Sequence, residues 1–341
     1  MNPRRVLALT VVVALGLTAF AASSTASVPS KKKPTAGLVL SGEPNDGGYY
    51  QDTFEAFEKA AKKFGFKAKT VSNVGFDTDA VADALGNLVN TGSKFVVADG
   101  TMTASGEVAA EEFPDTPFFL HTAPAPEGIS NYQGYVVEQG VGAYVLGAMA
   151  ASLSSSGKVG VLGGFEDPPS GQAIAGFTAG AEGASSTIEV SSVSVGDYSD
   201  PVLAKAAAAA MIANGVDVIY GYLDAGLVGV SQAIDESGED VQLFSATGSA
   251  RADKARCAAN STLVAQAFQN IDAQFVQMFA DFKEDNVSGG NTFWRFEDPK
   301  LQKISFCKGK ATAALKKTSK QVIADINGGK VELGSDITGE L

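Results

Sequence analysis

The sequence predicts an α/β protein built as two doubly wound parallel-sheet lobes, and three observations predict it. At 341 residues the chain exceeds what one hydrophobic core usually covers. Short apolar runs bounded by Gly and Pro alternate with stretches whose apolar residues recur at helical spacing. That alternation runs through the chain twice, in series. Repeated βαβ units of this kind favour parallel sheets covered by helices on both faces.

In the first series, residues 36–41 (AGLVLS) suit a buried parallel strand. Residues 53–64 follow as helix, with Phe54, Phe57, Ala60, Ala61 and Phe64 on one stripe. Then come strand 67–74, helix 79–89, strand 94–98, helix near 105–112 and strand 117–122. The second series opens with a small-residue helix at 140–153 and a buried strand at 158–163. It continues with helix 172–182, strand 189–195, an Ala-rich helix at 201–214, strand 217–222, helix 227–236 and strand 241–245. A further strand at 262–266 runs into an amphipathic helix at 272–283. Residues 286–291 read as loop and 321–327 as a terminal helix. The chain is expected to pass between lobes near 129–137, near 265 and around 292–296. This divides it into 36–132 plus 266–291 and 133–265 plus 292–341.

Composition narrows the function. The chain is 45% hydrophobic and 19% charged, which folds rather than stays disordered. Its net charge of −12 argues against a nucleic-acid partner. One histidine (His121) and two cysteines (Cys257, Cys307) cannot build a His/Cys zinc site, and neither metal nor cofactor is expected. A glycine-rich phosphate fingerprint is missing as well. An extracellular enzyme is disfavoured by the lone histidine and by the lack of a nucleophile–base pairing, so no catalytic residue is assigned.

The N-terminus addresses the chain for export. Arg4 and Arg5 precede an apolar run at 6–17, and Ala19-Phe20-Ala21 or Ser24-Thr25-Ala26 offers a small-residue cleavage site. Residues 1–26 therefore read as a secretory signal and 27–35 as a solvated tether. The alternative is an uncleaved anchor, for which the run is short. No cysteine lies near the cleavage region, so an N-terminal lipid anchor is not expected. Export would place Cys257 and Cys307 in an oxidising space, where two cysteines are most simply paired; the alternative is two free thiols.

In open α/β sheets, ligands bind beyond the carboxyl ends of the strands, and two facing lobes turn those ends toward one cleft. The loops so placed are 42–50, 99–103, 122–124, 164–170, 222–226, 246–250 and 266–270. Loop 42–50 (GEPNDGGYY) is the richest. Its Asp46 offers a carboxylate to a ligand, or else caps the following helix. Tyr49 and Tyr50 present stacking faces with polar tips, or else pack as core aromatics. Asp99, with Thr101 two residues on, accepts ligand hydroxyls or caps the next helix. Asp224, near Tyr222, has the same two readings, while Gln266 and Gln269 complete the polar set. Glu138 reads as a solvated or capping residue beside a crossing, or else as a binding group. His121 reads as structural, and Trp294 as packing at the hinge or else as a cleft aromatic.

Residues 144–180 (YVLGAMAASLSSSGKVGVLGGFEDPPSGQAIAGFTAG) and 195–222 (VGDYSDPVLAKAAAAAMIANGVDVIYGY), with Gly328-Gly329-Lys330-Val331, carry a resemblance. From about 36 to 333 the chain resembles the basic membrane protein family, the purine-nucleoside-receptor type of ABC-transporter solute-binding protein. The resemblance implies a type I periplasmic-binding fold with three interdomain crossings, delivering ligand to a membrane permease and ATPase. Asp46 and Tyr49 match the acid and aromatic of the family's ligand-gripping loop, while Tyr50 stands where asparagine is usual. The family's G-V-D-x-D motif is replaced by 244–248 (FSATG) and its lysine near the return crossing by Gln269; both groups hold ribose hydroxyls in nucleoside binders.

The expected function is that of an extracytoplasmic solute-binding protein of an ABC importer. A nucleoside or related ring-bearing solute would lie in the cleft, with Tyr49 or Tyr50 stacking on it and Asp46 and Asp99 accepting its donors. Its partners would be that ligand and the importer's permease, and the protein would be a monomer. The alternatives are a ligand-sensing subunit presenting to a membrane receptor, or a binding protein for a sugar or other non-nucleoside solute.

Overall fold

The computed structural model describes residues 32–339 apart from Glu297, so the export segment 1–26 lies outside the described residues. From Thr35 the chain runs β1 (Thr35–Val39), α1 (Tyr49–Phe64), β2 (Lys67–Val71), α2 (Thr78–Asn90), β3 (Ser93–Asp99), α3 (Thr103–Glu112), β4 (Phe118–Thr122) and β5 (Tyr132–Val137). It continues as α4 (Gln139–Leu153), β6 (Lys158–Gly163), α5 (Pro168–Ala184), β7 (Glu189–Ser194), α6 (Pro201–Ala213), β8 (Val218–Gly221), α7 (Leu227–Ser237) and β9 (Gln242–Thr247). The last elements are α8 (Ala250–Ala259), β10 (Leu263–Gln269), α9 (Ile271–Glu284), β11 (Gly290–Trp294), β12 (Gln302–Phe306), α10 (Ala313–Asn327) and α11 (Ser335–Thr338).

Two six-stranded sheets result. The first has the order β11-β5-β4-β3-β1-β2 and is parallel throughout; the second has the order β12-β10-β9-β8-β6-β7, with only β12 antiparallel. The central strands of each sheet are buried on both faces, which is why they read as continuous apolar runs, whereas the edge strands β2 and β7 are partly to fully exposed. In β3, Phe95 and Val97 face the α1 and α9 side, joining Phe57, Phe275 and Phe279. Val96 and Ala98 face the other way, toward Val81, Leu85 and Ala109 on α2 and α3. Phe95 meets Phe279 edge to face at 4.8 Å between centroids. Such a pair adds about 0.5–1.5 kcal/mol beyond the area it buries.

The second lobe packs its helices more tightly. Gly147 of α4 lies against the Phe177 carbonyl of α5, while Gly176 and Gly180 of α5 lie against the Gly140 and Tyr144 carbonyls of α4. A Cβ at any of the three would meet backbone, which accounts for the small-residue composition of this pair.

The chain changes sheets after Val137, after Gln269 and after Trp294, three times in all. The sequence places these passages near 129–137, near 265 and around 292–296, with lobe bounds at 132, 265 and 291. β5, an unforeseen strand, keeps the chain in the first sheet through Val137, and β10 keeps it in the second through Gln269. Trp294 is buried at the third passage, 5.6 Å from the Tyr135 ring, and its carbonyl accepts from Gln302 Nε2.

Helix α8 and strand β12 were also unforeseen. α8 reads ARADKARCAA and buries only Ala252, so it has no apolar stripe to detect. Its start is set by Ser249, whose hydroxyl oxygen accepts the Ala252 N–H. A disulfide joins Cys257 of α8 to Cys307 just after β12, with Cα atoms 5.3 Å apart, and ties the helix to the edge of the second sheet. Among the described residues no helix is long and apolar enough to cross a membrane.

Candidate ligand-binding cleft

The site is built where β1, β3 and β4 of the first sheet end opposite β8 and β9 of the second. Asp99, at the end of β3, is wholly buried. Its Oδ2 accepts the Ser41 N–H at 2.7 Å and hydroxyl at 2.8 Å, and its Oδ1 accepts the Thr101 N–H at 3.0 Å and hydroxyl at 2.5 Å. Four donors satisfy the carboxylate, so Asp99 binds the ends of β1 and β3 together and is not available to a ligand, contrary to the sequence expectation. The Ser41 hydroxyl also lies 3.0 Å from the Tyr50 hydroxyl and 3.1 Å from that of Thr101. Tyr50 lies over Gly42, where a Cβ would collide with its ring.

Asp46 takes its capping reading. Its Oδ1 accepts the N–H groups of Gly48 at 2.9 Å and Gln51 at 3.0 Å, and its Oδ2 that of Tyr50 at 3.4 Å. A carboxylate in this place satisfies orphan amides and favours the helix dipole. The turn is made possible by Gly47 at φ +77°.

Tyr49 opens α1 and is half-buried, with its hydroxyl 3.1 Å from His121 Nδ1 and 3.2 Å from Thr122 Oγ1. Its ring stacks on the His121 ring at 5.7 Å and meets Tyr50 edge to face at 5.4 Å. His121 Nε2 lies 2.5 Å from Gln274 Oε1, so this nitrogen carries the proton and Nδ1 accepts from Tyr49. Burial pushes the His121 pKa down to about 3, against a smaller upward pull from Gln274, and the imidazole is neutral. His121 is thus structural, holding Tyr49 in place. Thr122 takes φ +73°, a conformation that L side chains rarely adopt, at the point where β4 delivers its hydroxyl to Tyr49.

In the second lobe, Asp224 Oδ1 accepts the Tyr49 N–H from the first lobe at 3.2 Å. The same oxygen lies 3.7 Å from Arg256 Nη2. Burial raises Asp224 to about 6, opposed by Arg256 and reinforced by Asp46. Tyr222 packs between Tyr198 and Tyr220, at 6.0 and 6.4 Å between centroids. The Tyr198 hydroxyl donates to Asp167 at 2.8 Å and meets the Ser170 hydroxyl at 2.8 Å. Phe165, 40% exposed, stands edge-on to Tyr198 at 5.5 Å. Burial, with neighbouring acids, raises the hydroxyl pKa of Tyr49, Tyr50, Tyr198 and Tyr222, so these groups act as neutral donors and acceptors.

Two glutamines part company here. Gln266 is fully buried beneath α8: its carbonyl accepts from Ser245 at 2.9 Å, and its amide donates to Asp253 Oδ1 at 2.7 Å and to the Asp253 carbonyl at 3.1 Å. It braces α8 beside the disulfide and does not enter the cleft, because both ends of its amide are taken, by Ser245 and by Asp253 of that helix. Gln269 is half-buried at the very end of β10, where the chain returns to the first lobe.

Phe165, Tyr198 and Arg256 were absent from the set of site residues read from sequence. The strand-end rule, applied also to the edge strand β7, points at Tyr198. Arg256 had no signal, since it depends on the unforeseen α8, from which its guanidinium reaches the Ala246 carbonyl.

Two doubly wound lobes joined by three passages, with strand ends opposed around aromatic and acidic side chains, define the class of clamp-like solute-binding proteins. The chain superposes on an ABC-transporter solute-binding protein from Aeropyrum pernix K1 with a TM-score of 0.76, over 88% of this chain and 93% of that one, at 16% identity. Residues 33–295 match the family described as ABC transporter substrate-binding protein PnrA-like (Bmp), and the chain belongs to that family. It is 25% identical to basic membrane protein D of Borreliella burgdorferi over 265 residues, covering 76% of this chain and 75% of that protein. It is 29% identical to a purine-binding protein of Brucella abortus over 200 residues, covering 57% of this chain and 56% of the relative. Proteins of this family bind solutes outside the cytoplasm for an ABC transporter's permease and are not enzymes.

Proposed function

We propose that this chain binds a purine-nucleoside-like solute, a planar ring bearing polar substituents, between its two lobes. The observation that carries this reading is the convergence of aromatic faces from both lobes on one seam: Tyr49 and Tyr50 from the first, Tyr198 and Tyr222 from the second, with Asp224 between them. Rings of this kind stack on planar ligands, and the neutral hydroxyls with the Asp224 carboxylate supply hydrogen-bond partners. Thr101, exposed just past β3, and Gln269, at the end of β10, add polar groups. Asp46 serves the site by ordering the loop that presents Tyr49 and Tyr50. The purine-binding relative supports the ligand class.

The mature protein would be exported by cleavage near residue 26, without a lipid anchor, and would act as a monomer that ignores nucleic acid. Intact-mass spectrometry of secreted protein and light scattering on the purified chain test these points. Calorimetry against purine nucleosides, free bases and pentoses tests the ligand. The reading requires heat with a nucleoside and at least a tenfold loss of affinity in Tyr222→Ala. No heat from any of the three classes, or an unchanged variant, would sink it.

A further inference from the structure

Away from the aromatic cleft, the two lobes touch along the seam between α1 and α8. Asp52 on α1 is only 3% exposed, yet its polar side-chain partners belong to the other lobe. Its Oδ1 accepts the Ser249 hydroxyl at 2.6 Å and Arg251 Nη2 at 2.7 Å. Arg251 also reaches Glu55 Oε2 through Nε at 3.1 Å, one α-helical turn further along α1. Arg251 is 42% exposed, which places this cluster at the solvent edge of the seam.

Two glycines set how closely the lobes approach. A Cβ on Gly48 of the first lobe would lie 2.6 Å from Asp224 Cγ of the second. A Cβ on Gly248 of the second lobe would collide with the Ile271 side chain of the first and lie 3.3 Å from Asp52 Oδ2. The seam is therefore made for direct contact of the lobes.

We propose that Arg251 and Ser249 on one lobe, with Asp52 and Glu55 on the other, form a latch that holds the lobes together without touching the ligand. The physical reason lies in Asp52. Closure takes its carboxylate out of water, which is unfavourable unless a cation and a donor receive it. Burial indeed raises the Asp52 pKa, and Ser249 and Arg251 oppose that rise. With Arg251 in place, closing the lobes exchanges hydration for a charge-assisted pair. Without it, closing buries a carboxylate left with the Ser249 hydroxyl and the more distant charge of Arg256. The latch thus sets the ratio of closed to open chain and, through that ratio, the apparent affinity for any solute that needs the closed form. The inference requires only that the lobes separate and is independent of the ligand class proposed above.

Small-angle X-ray scattering on the full chain, unfolded in guanidinium and refolded by dialysis to strip bound solute, tests it. Three variants are compared with the unmodified chain: Arg251→Ala, Arg251→Glu and the control Lys59→Ala. The control removes an ion pair between α1 and Asp272 of α9, inside the first lobe. The latch predicts a larger radius of gyration for both Arg251 variants, greatest for Arg251→Glu, and none for Lys59→Ala. Arg251→Ala is expected to shift the closed-to-open ratio by about tenfold, or about 1.4 kcal/mol. Equal radii for the Arg251 variants and the unmodified chain would overturn the proposal. So would an equal expansion in Lys59→Ala, which would reduce the effect to surface charge.

Discussion

The backbone N–H of Tyr49 donates to Asp224 Oδ1 at 3.2 Å, joining the first turn of α1 in one lobe to the loop after β8 in the other. The contact satisfies an amide that the helix itself leaves open, and it brings a carboxylate to the positive end of the helix dipole. Nearby Gly48 leaves no room for a side chain between them.

The Asp224 carboxyl titrates at about 6 rather than 3.8, because burial disfavours its charge more than Arg256 restores it. A raised acid binds its proton more tightly when folded, so ionisation lowers stability as pH rises from about 4 to about 6. Asp224→Asn mimics the neutral form. Its stability advantage over the unmodified chain should be greatest above pH 6, up to about 2–3 kcal/mol, and should shrink toward pH 4. Urea unfolding of both proteins at pH 7.5 and pH 4.5 measures it; a difference that does not change with pH contradicts the assignment.

His121 behaves in the opposite sense. Its folded pKa lies near 3 against an ordinary 6.5, because burial disfavours the imidazolium. The contribution is complete above pH 6.5 and is lost as pH falls toward 3, since only the unfolded chain takes up the proton. Thermal melts of His121→Gln should therefore lose less stability between pH 7 and pH 4 than melts of the unmodified chain.

Tyr49→Phe removes the hydroxyl that lies between His121 Nδ1 and Thr122 Oγ1. The buried imidazole is left without its donor, a loss of about 1–3 kcal/mol in denaturant unfolding. Ligand affinity should change less than stability, because the stacking ring is retained.

Reduction of the Cys257–Cys307 bond opens a loop spanning 50 positions, and the chain-entropy relation gives a loss of roughly 4 kcal/mol. Cys257→Ser with Cys307→Ser should unfold at lower urea by a matching amount. It should also loosen α8, which faster amide exchange across Ala250–Ala259 would reveal.

Much of the fold was legible because the central strands of both sheets are buried on both faces. Runs such as those around Phe95 and Val218 are apolar at every position, and the Gly and Pro residues between them mark the turns. α8 and β12 escaped notice for the converse reason: α8 buries almost nothing, and β12 is a short edge strand held by pairing with β10 and by the disulfide. In the site, the strand-end rule located the loops but could not rank their side chains. Asp46, Asp99 and Asp224 are all acids at or beyond strand ends, yet one caps a helix, one is enclosed by four donors and one bridges the lobes.

The sequence by itself determined the two-lobed α/β architecture and the stretches that turn toward the cleft, because hydrophobic periodicity is a local property of the chain. Only the tertiary structure decided which polar groups remain free for a solute. That outcome depends on partners far away in sequence: Ser41 lies 58 positions from Asp99, and Tyr49 lies 175 from Asp224. Hydrogen-bond satisfaction is settled by proximity in space, and a carboxylate becomes a binding group or a brace according to who reaches it first.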